Sequence, residues 1–141
     1  RVAVLSYSNF GSTRSDETEK CASAVRMAKE TYPDLVIDGE MQANIAVNQS
    51  LLRENYPFSD LSRGAANTLI FPNLASGNIA YKLLHEIGGA EIIGPVLMGM
   101  ARPVQVLQLG SSVREIVNMA ALAVVEAQKE IGSVSREFRS D

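Results

Sequence analysis

The sequence predicts an α/β protein in which helices pack on a mostly parallel sheet. Short apolar runs rich in Val, Leu and Ile alternate along the chain with longer segments of helical period. The runs also lead into helices through turns of Ser, Asn and Gly, as strands do when each is followed by a crossover helix. Val2 to Ser6 reads as a buried strand, followed by a loop from Ser6 to Ser12. Asp16 to Tyr32 reads as a helix, with apolar positions Ala22, Val25, Met27 and Ala28, acids at Asp16, Glu17 and Glu19 in its first turn, and Pro33 closing it. Leu35 to Ile37 reads as a short strand that exits into Asp38-Gly39-Glu40.

Met41 to Val47 is expected to form a short helix, and Asn48 to Gly64 a partly irregular excursion containing Pro57. Leu69, Ile70 and Phe71 form a continuous apolar run, the pattern of a parallel strand covered on both faces. Pro72 ends the run because it has no N–H to donate. A helix from Ala75 to Ile87 follows and is stopped by Gly88-Gly89. Two more strands are expected, Ala90 to Met98 with a break at Gly94-Pro95, and Pro103 to Leu107. The last helix opens with a capping box at Ser112 and Glu115. Its apolar stripe is Val113, Ile116, Val117, Ala120, Ala121 and Val124, and the run Ala120 to Val125 is apolar enough all round to be buried. Residues 1–131 are expected to be the folded part, with 132–141 a mobile polar tail.

At 141 residues the chain is long enough to bury a core, and length alone suggests one domain. A net charge of −3, with scattered basic residues, gives no reason to expect nucleic acid or an anionic membrane surface. The single cysteine, Cys21, allows no internal disulfide and fits a reducing compartment, so a cytoplasmic setting is expected. No apolar run is long enough to span a bilayer. The chain starts at Arg1 and enters a strand at once, which reads as a piece of a longer protein. Some exposed apolar surface is then expected to be a severed intramolecular interface.

Chemistry-bearing residues are few. His85, the only histidine, lies mid-helix without a metal-ligand partner at useful spacing and reads as a satisfied helical residue. Cys21 reads as a buried or half-buried thiol, not a nucleophile. No Gly-rich dinucleotide fingerprint is present. Two strand-to-helix turns stand out. Ser6-Tyr7-Ser8-Asn9-Phe10-Gly11-Ser12 offers hydroxyls and flexible backbone N–H groups, which suit a phosphate or acyl phosphate but also suit an ordinary capped turn. Asn73, Ser76 and Asn78, with Ala75 and Gly77 between them, offer uncharged groups at the carboxyl end of a strand, where open α/β sheets bind ligands.

The wording of these turns is specific. Asn67 to Lys82, with Leu5 to Ser12, Asp34 to Gln42 and Gly88 to Leu97, resembles the phosphate acetyltransferases, which move an acetyl group between coenzyme A and phosphate. It resembles still more the acetyltransferase-like module at the C-terminus of large bacterial NADP-dependent malic enzymes. The resemblance covers the chain to about Gln128 and implies a three-layer α/β/α fold related to isocitrate dehydrogenases. It also implies that Ser6, Ser8, Gly11, Ser12, Gly77 and Asn78 line a pocket for acetyl-CoA or acetyl phosphate. Asn73 is a further candidate and Gln42 and Lys82 are weaker ones, Lys82 reading nearly as well as a solvated helix residue.

The departures from that family pattern carry as much as the matches. Before their last helix the acetyltransferases have an Asp-Leu-Ser-Arg-Gly run with a catalytic Asp a few residues on. Here Gln108 and Leu109 stand at the serine and arginine positions, and Glu115, explained by the capping box, at the acid. Leucine offers no donor to a phosphoryl group that arginine would hold bidentately. Glu86 replaces a further arginine, and Asn73 makes Phe-Pro-Asn of Phe-Pro-Asp. Three readings follow: a regulatory module that binds acetyl-CoA without turnover, a catalytic phosphate acetyltransferase, and an assembly domain with a vestigial pocket. The first places NADP and a divalent metal in an absent catalytic domain and none in this chain. It also expects a missing N-terminal part and a homo-oligomer.

Overall fold

The computed structural model describes residues 1–137, which fall into two compact units, Arg1–Lys82 and Leu83 onward. The first unit holds a three-stranded, fully parallel sheet of β1 (Val2–Leu5), β2 (Ile37–Met41) and β3 (Thr68–Ile70), with β1 in the centre. Its helices are α1 (Asp16–Thr31), α2 (Ala43–Val47), α3 (Gln49–Asn55) and α4 (Leu74–Glu86), with a 3₁₀ turn at Asp60–Arg63. The strand alternation of β1 sorts its side chains between two cores. Ala3 and Leu5 pack with Met41, Ile45, Ala46, Leu52 and Leu61 under α2, α3 and the 3₁₀ turn. Val4 packs on the other face with Ile37 and with Cys21 and Val25 of α1. Helices therefore cover both sheet faces, giving the three-layer α/β/α arrangement.

α1 forms where expected because its entry is well capped. Ser15 N donates to Thr18 Oγ1 at 2.9 Å and Thr18 N returns the bond to Ser15 Oγ at 3.3 Å. β2 begins later than the hydrophobic run suggests. Leu35 and Val36 are exposed, whereas Asp38 and Glu40 are buried inside the strand. Val4 pairs with Gly39 but Leu5 with Met41, so Glu40 is an extra residue in the ladder. Gly39 sits at φ +142, and a Cβ there would lie 2.5 Å from the Val4 carbonyl oxygen, so only glycine fits.

β3 is not covered on both faces as the apolar run suggested. Among the described residues it is an edge strand paired with β1 alone, and Ile70 remains 47% exposed, while Leu69 and Phe71 pack on the α2/α3 side. The excursion from Asn48 to Gly64 is largely helical, made of α3 and the 3₁₀ turn.

In the second unit the end of α4 stops at Gly88 and Gly89 as expected. Gly89 has φ +63, and a Cβ at Gly88 would meet the Leu84 carbonyl oxygen at 2.6 Å. The two strands expected between Ala90 and Leu107 do not form. One antiparallel bridge, Val96 with Gln105, is what remains, because Pro95 and Pro103 remove donors and Gly94 takes φ +136. α5 (Val113–Glu137) begins with the predicted capping box: Ser112 N donates to Glu115 Oε2 at 2.6 Å and Glu115 N to Ser112 Oγ at 3.2 Å. It continues past Gly132, where a tail was expected, and residues 138–141 lie outside the described residues. The stripe on α5 is also less covered than its composition suggests: Val117 and Val124 are more than half exposed, and Met119, which lies outside the stripe, is the buried apolar residue of α5 among the described side chains.

Candidate functional site

The carboxyl ends of β1, β2 and β3 lie side by side because the strands are parallel neighbours, so the turns after them converge at one sheet edge. The β1–α1 loop is the most organised of the three. Ser8 is fully buried, and its hydroxyl donates to Glu40 Oε1 at 2.9 Å. Gly11 N donates to the same oxygen at 2.7 Å, and Phe10 N donates to the Glu40 carbonyl at 2.7 Å. Phe10 takes φ 47, a left-handed conformation that costs a non-glycine residue about 1 kcal/mol or more, and it is followed by Gly11 at φ 82. Both N–H groups of this strained pair end on Glu40, which holds them there.

Gln42 locks the loop from the β2 side. Its N–H donates to Asn9 Oδ1 and its Nε2 to the Tyr7 carbonyl, both at 2.8 Å. The Tyr7 and Ser15 hydroxyls lie 2.5 Å apart, tying the loop to the α1 cap. Ser6, Ser8, Gly11, Ser12 and Gln42 are thus brought together in one hydrogen-bonded assembly. Ser8 faces inward, however, and Ser12 Oγ, 3.2 Å from Ser8 Oγ, accepts Asn9 N at 2.9 Å.

Asn73, Gly77 and Asn78 form the start of α4. Asn73 Oδ1 accepts Ser76 N at 2.9 Å, its Nδ2 donates to Glu17 Oε1 at 3.2 Å, and Lys20 Nζ reaches the Pro72 carbonyl at 3.0 Å. A Cβ added at Gly77 would rest 3.6 Å from Phe71. This turn is therefore fastened to the first half of α1. Lys82 is not brought to it: the side chain is exposed beside its neighbour Tyr81, 5.2 Å from the ring centroid.

Sequence reasoning missed Asp38 and Glu40 as organisers. Asp38 Oδ2 accepts Ser59 Oγ at 2.7 Å and Asp60 N at 3.0 Å, and Oδ1 lies 3.1 Å from Lys29 Nζ, which also meets Asp60 at 2.7 Å. Burial alone would lower the Lys29 pKa, but the bonds to Asp60 and Asp38 together outweigh it and leave it raised. The signal for both acids was their place around Gly39 at the mouth of a strand. A cleft of 490 Å³ opens on the α1 flank between Arg14, Arg26, Lys29, Asp38 and Glu40, and of the nine nominated residues Gly11 alone lines it.

Burial raises the Cys21 thiol pKa, the residue is 3% exposed, and its Sγ is 3.8 Å from the Leu5 carbonyl, as suits an inert core thiol. His85 Nδ1 lies 2.8 Å from the Ala90 carbonyl. In the second unit Leu109 is fully exposed. The Glu115 pKa is lowered, first by the bond from Ser112 N and then by Ser112 Oγ, so its carboxylate is occupied as a helix cap. Arg114 is gripped by Glu91 at 2.7 and 3.0 Å. No helix among the described residues is long and apolar enough to cross a membrane, and none of their His, Cys, Asp and Glu side chains group in threes able to hold a metal ion.

A parallel sheet with helices on both faces and a serine-bearing turn at its carboxyl edge defines a three-layer α/β/α protein. The chain belongs to the phosphate acetyl/butaryl transferase family, whose pattern matches residues 1–124. It is 46% identical over 128 residues to the phosphate acetyltransferase of Acetivibrio thermocellus, covering 91% of this chain and 38% of that protein. It is equally 46% identical over 131 residues to the NADP-dependent malic enzyme of Escherichia coli, covering 92% of this chain and 17% of that protein. Among solved structures, a phosphotransacetylase from Streptococcus pyogenes superposes with a TM-score of 0.81 at 37% identity, covering 93% of this chain and 39% of that one. The EutD phosphotransacetylase from Staphylococcus aureus gives 0.80 at 35%, covering 91% and 39%. The chain thus spans well under half the length of these relatives.

Proposed function

We propose that this chain is part of a regulatory, acetyl-CoA-binding module of an NADP-dependent malic enzyme, a module that binds without transferring the acetyl group. The observation that carries this reading is the second unit's approach to α5. Leu109 stands exposed with no donor where the family pattern has arginine, Gln108 replaces the serine, and Glu115 is engaged as a cap. Removing a charged donor from a site that stabilises developing negative charge lowers the rate by about two to three orders of magnitude. The three turns of the first unit remain and supply a polar edge for the ligand, with Ser6, Gln42, Asn73 and Asn78 its half-buried or exposed groups. The parent protein would oxidise and decarboxylate malate to pyruvate, with NADP and a divalent metal in its catalytic domain. Acetyl-CoA would shift an oligomer between activity states by differential affinity.

A catalytic phosphate acetyltransferase is the second reading, favoured by the intact β1–α1 loop and by equal identity to an acetyltransferase. The exposed stripe of α5 favours a third, an assembly role. Calorimetric titration of acetyl-CoA into the full-length protein, with acetyl phosphate formation assayed in the same sample, separates them. Binding without turnover is expected. Robust turnover would replace the regulatory reading with the catalytic one, and neither binding nor turnover would leave assembly.

A further inference from the structure

The β1–α1 loop has the composition of an anion cradle, yet its donors are already engaged. Ser8 has one proton and gives it to Glu40 Oε1, so the contact between Ser8 and Ser12 must run from the Ser12 hydroxyl to Ser8. Ser8 N donates to Ser6 Oγ at 3.3 Å, Asn9 N to Ser12 Oγ at 2.9 Å and Thr13 N to Ser8 Oγ at 3.0 Å. Ser12 N donates to the Asn9 carbonyl at 3.0 Å, and Phe10 and Gly11 both donate to Glu40. Every backbone N–H from Ser8 to Thr13 therefore has an internal acceptor. A phosphate arriving here would find no main-chain donor and would face a buried carboxylate 2.7 Å behind the Gly11 amide.

Three side-chain polar groups of the assembly have no partner among the described residues: the Ser6 hydroxyl proton, the Asn9 side-chain N–H₂ and the Gln42 side-chain oxygen. All three residues are partly accessible. They are uncharged, two donating and one accepting. We infer that Glu40 is a positioning residue that makes this loop a recognition surface for the neutral part of a ligand and not for its phosphates. Resting on the acetyl-CoA reading above, the matching groups are the thioester carbonyl and the amides of the pantetheine arm.

The test uses the full-length protein as wild type, Glu40→Ala and Glu40→Gln. Acetyl-CoA affinity is read by calorimetry, and hydrogen exchange is read at the amides of residues 8–13, with acetyl-CoA and with inorganic phosphate as separate probes. Glu40→Ala is expected to weaken acetyl-CoA binding about tenfold or more and to speed exchange within 8–13. Glu40→Gln is expected to stay within about threefold of wild type, because its amide oxygen can accept both bonds. Phosphate is expected to leave exchange at 8–13 unchanged. Wild-type affinity and protection in Glu40→Ala, or protection of 8–13 by phosphate, would overturn the inference. If wild type does not bind acetyl-CoA, the acetyl-CoA reading falls and exchange alone decides: local loss in Ala with rescue in Gln supports the positioning role, and no change overturns it. If Glu40→Ala does not fold, Ser8→Ala takes its place, with a loss of about threefold and faster local exchange expected; wild-type behaviour there overturns the inference.

Discussion

The two units solve the same folding problem unequally. The first buries Leu52, Leu61, Met41 and Ala3 essentially completely and satisfies even its interior carboxylates. The second contributes Met119 to the buried apolar set, while Val113, Val117 and Leu109 stay open. Both have apolar periodicity, and both form the helices it encodes. The difference is that β1 supplies the first unit with a central strand covered on both faces, whereas the second unit forms no sheet of its own among the described residues. Amphipathic pattern sets what kind of element forms; burial depends on what the element meets.

That contrast orders the expected effects of mutation. Gly39→Ala should be the most damaging, at least about 3 kcal/mol by chemical denaturation, since strain at positive φ adds to the clash with Val4. Leu52→Ala should follow at about 2–5 kcal/mol, because Leu52 is fully buried. Asp38→Ala should cost about 2–4 kcal/mol by leaving Ser59, Asp60 N and Lys29 short of an acceptor. The Lys29 part of that cost has a defined pH window. Its pKa is raised above 10.5, so its contribution is complete below pH 10.5 and disappears as the pH rises through the folded value.

Smaller effects belong to the second unit. Glu115 has a lowered pKa, so its cap is complete above the ordinary value of 4.5 and is lost as the pH falls through the lowered one. The protection factors in the first turn of α5, that is, intrinsic exchange rates divided by the observed rates at each pH, should therefore be steady above pH 4.5 and fall only below it, and Glu115→Ala should abolish that pH dependence. Val117→Ala should change stability by less than about 0.5 kcal/mol. A loss as large as that of Leu52→Ala would break the comparison, since it would mean that the α5 stripe is covered in the molecule.

Much of the first unit was legible in the sequence. Val2 to Leu5, the Ser15-capped α1 and the turn after Phe71 announce themselves through apolar runs, acids at a helix start and a proline. β2 was misplaced because the apolar signal points to Leu35 and Val36, while the strand carries Asp38 and Glu40. Hydropathy cannot see a buried acid whose partners, Lys29, Ser59 and Ser8, lie far along the chain. The serine loop stands out as a turn rich in donors, but its inward hydrogen bonding is not legible, since composition gives donors without giving their directions. In the second unit Val-Gln-Val-Leu alternates as a strand should, but with one bridge at Gln105 it has no ladder to join.

Strand parity singles out Glu40 within β2. Ile37 lies on the α1 face of the sheet and Met41 on the opposite one, although they are four residues apart and strict alternation would put them together. Skip Glu40, and the parity comes right: Val2, Ala3, Val4 and Leu5 meet Ile37, Asp38, Gly39 and Met41 one for one. The sheet needs an even tally and the chain supplies an odd one. Glu40 is the supernumerary residue, present in the strand yet belonging to the turn beside it.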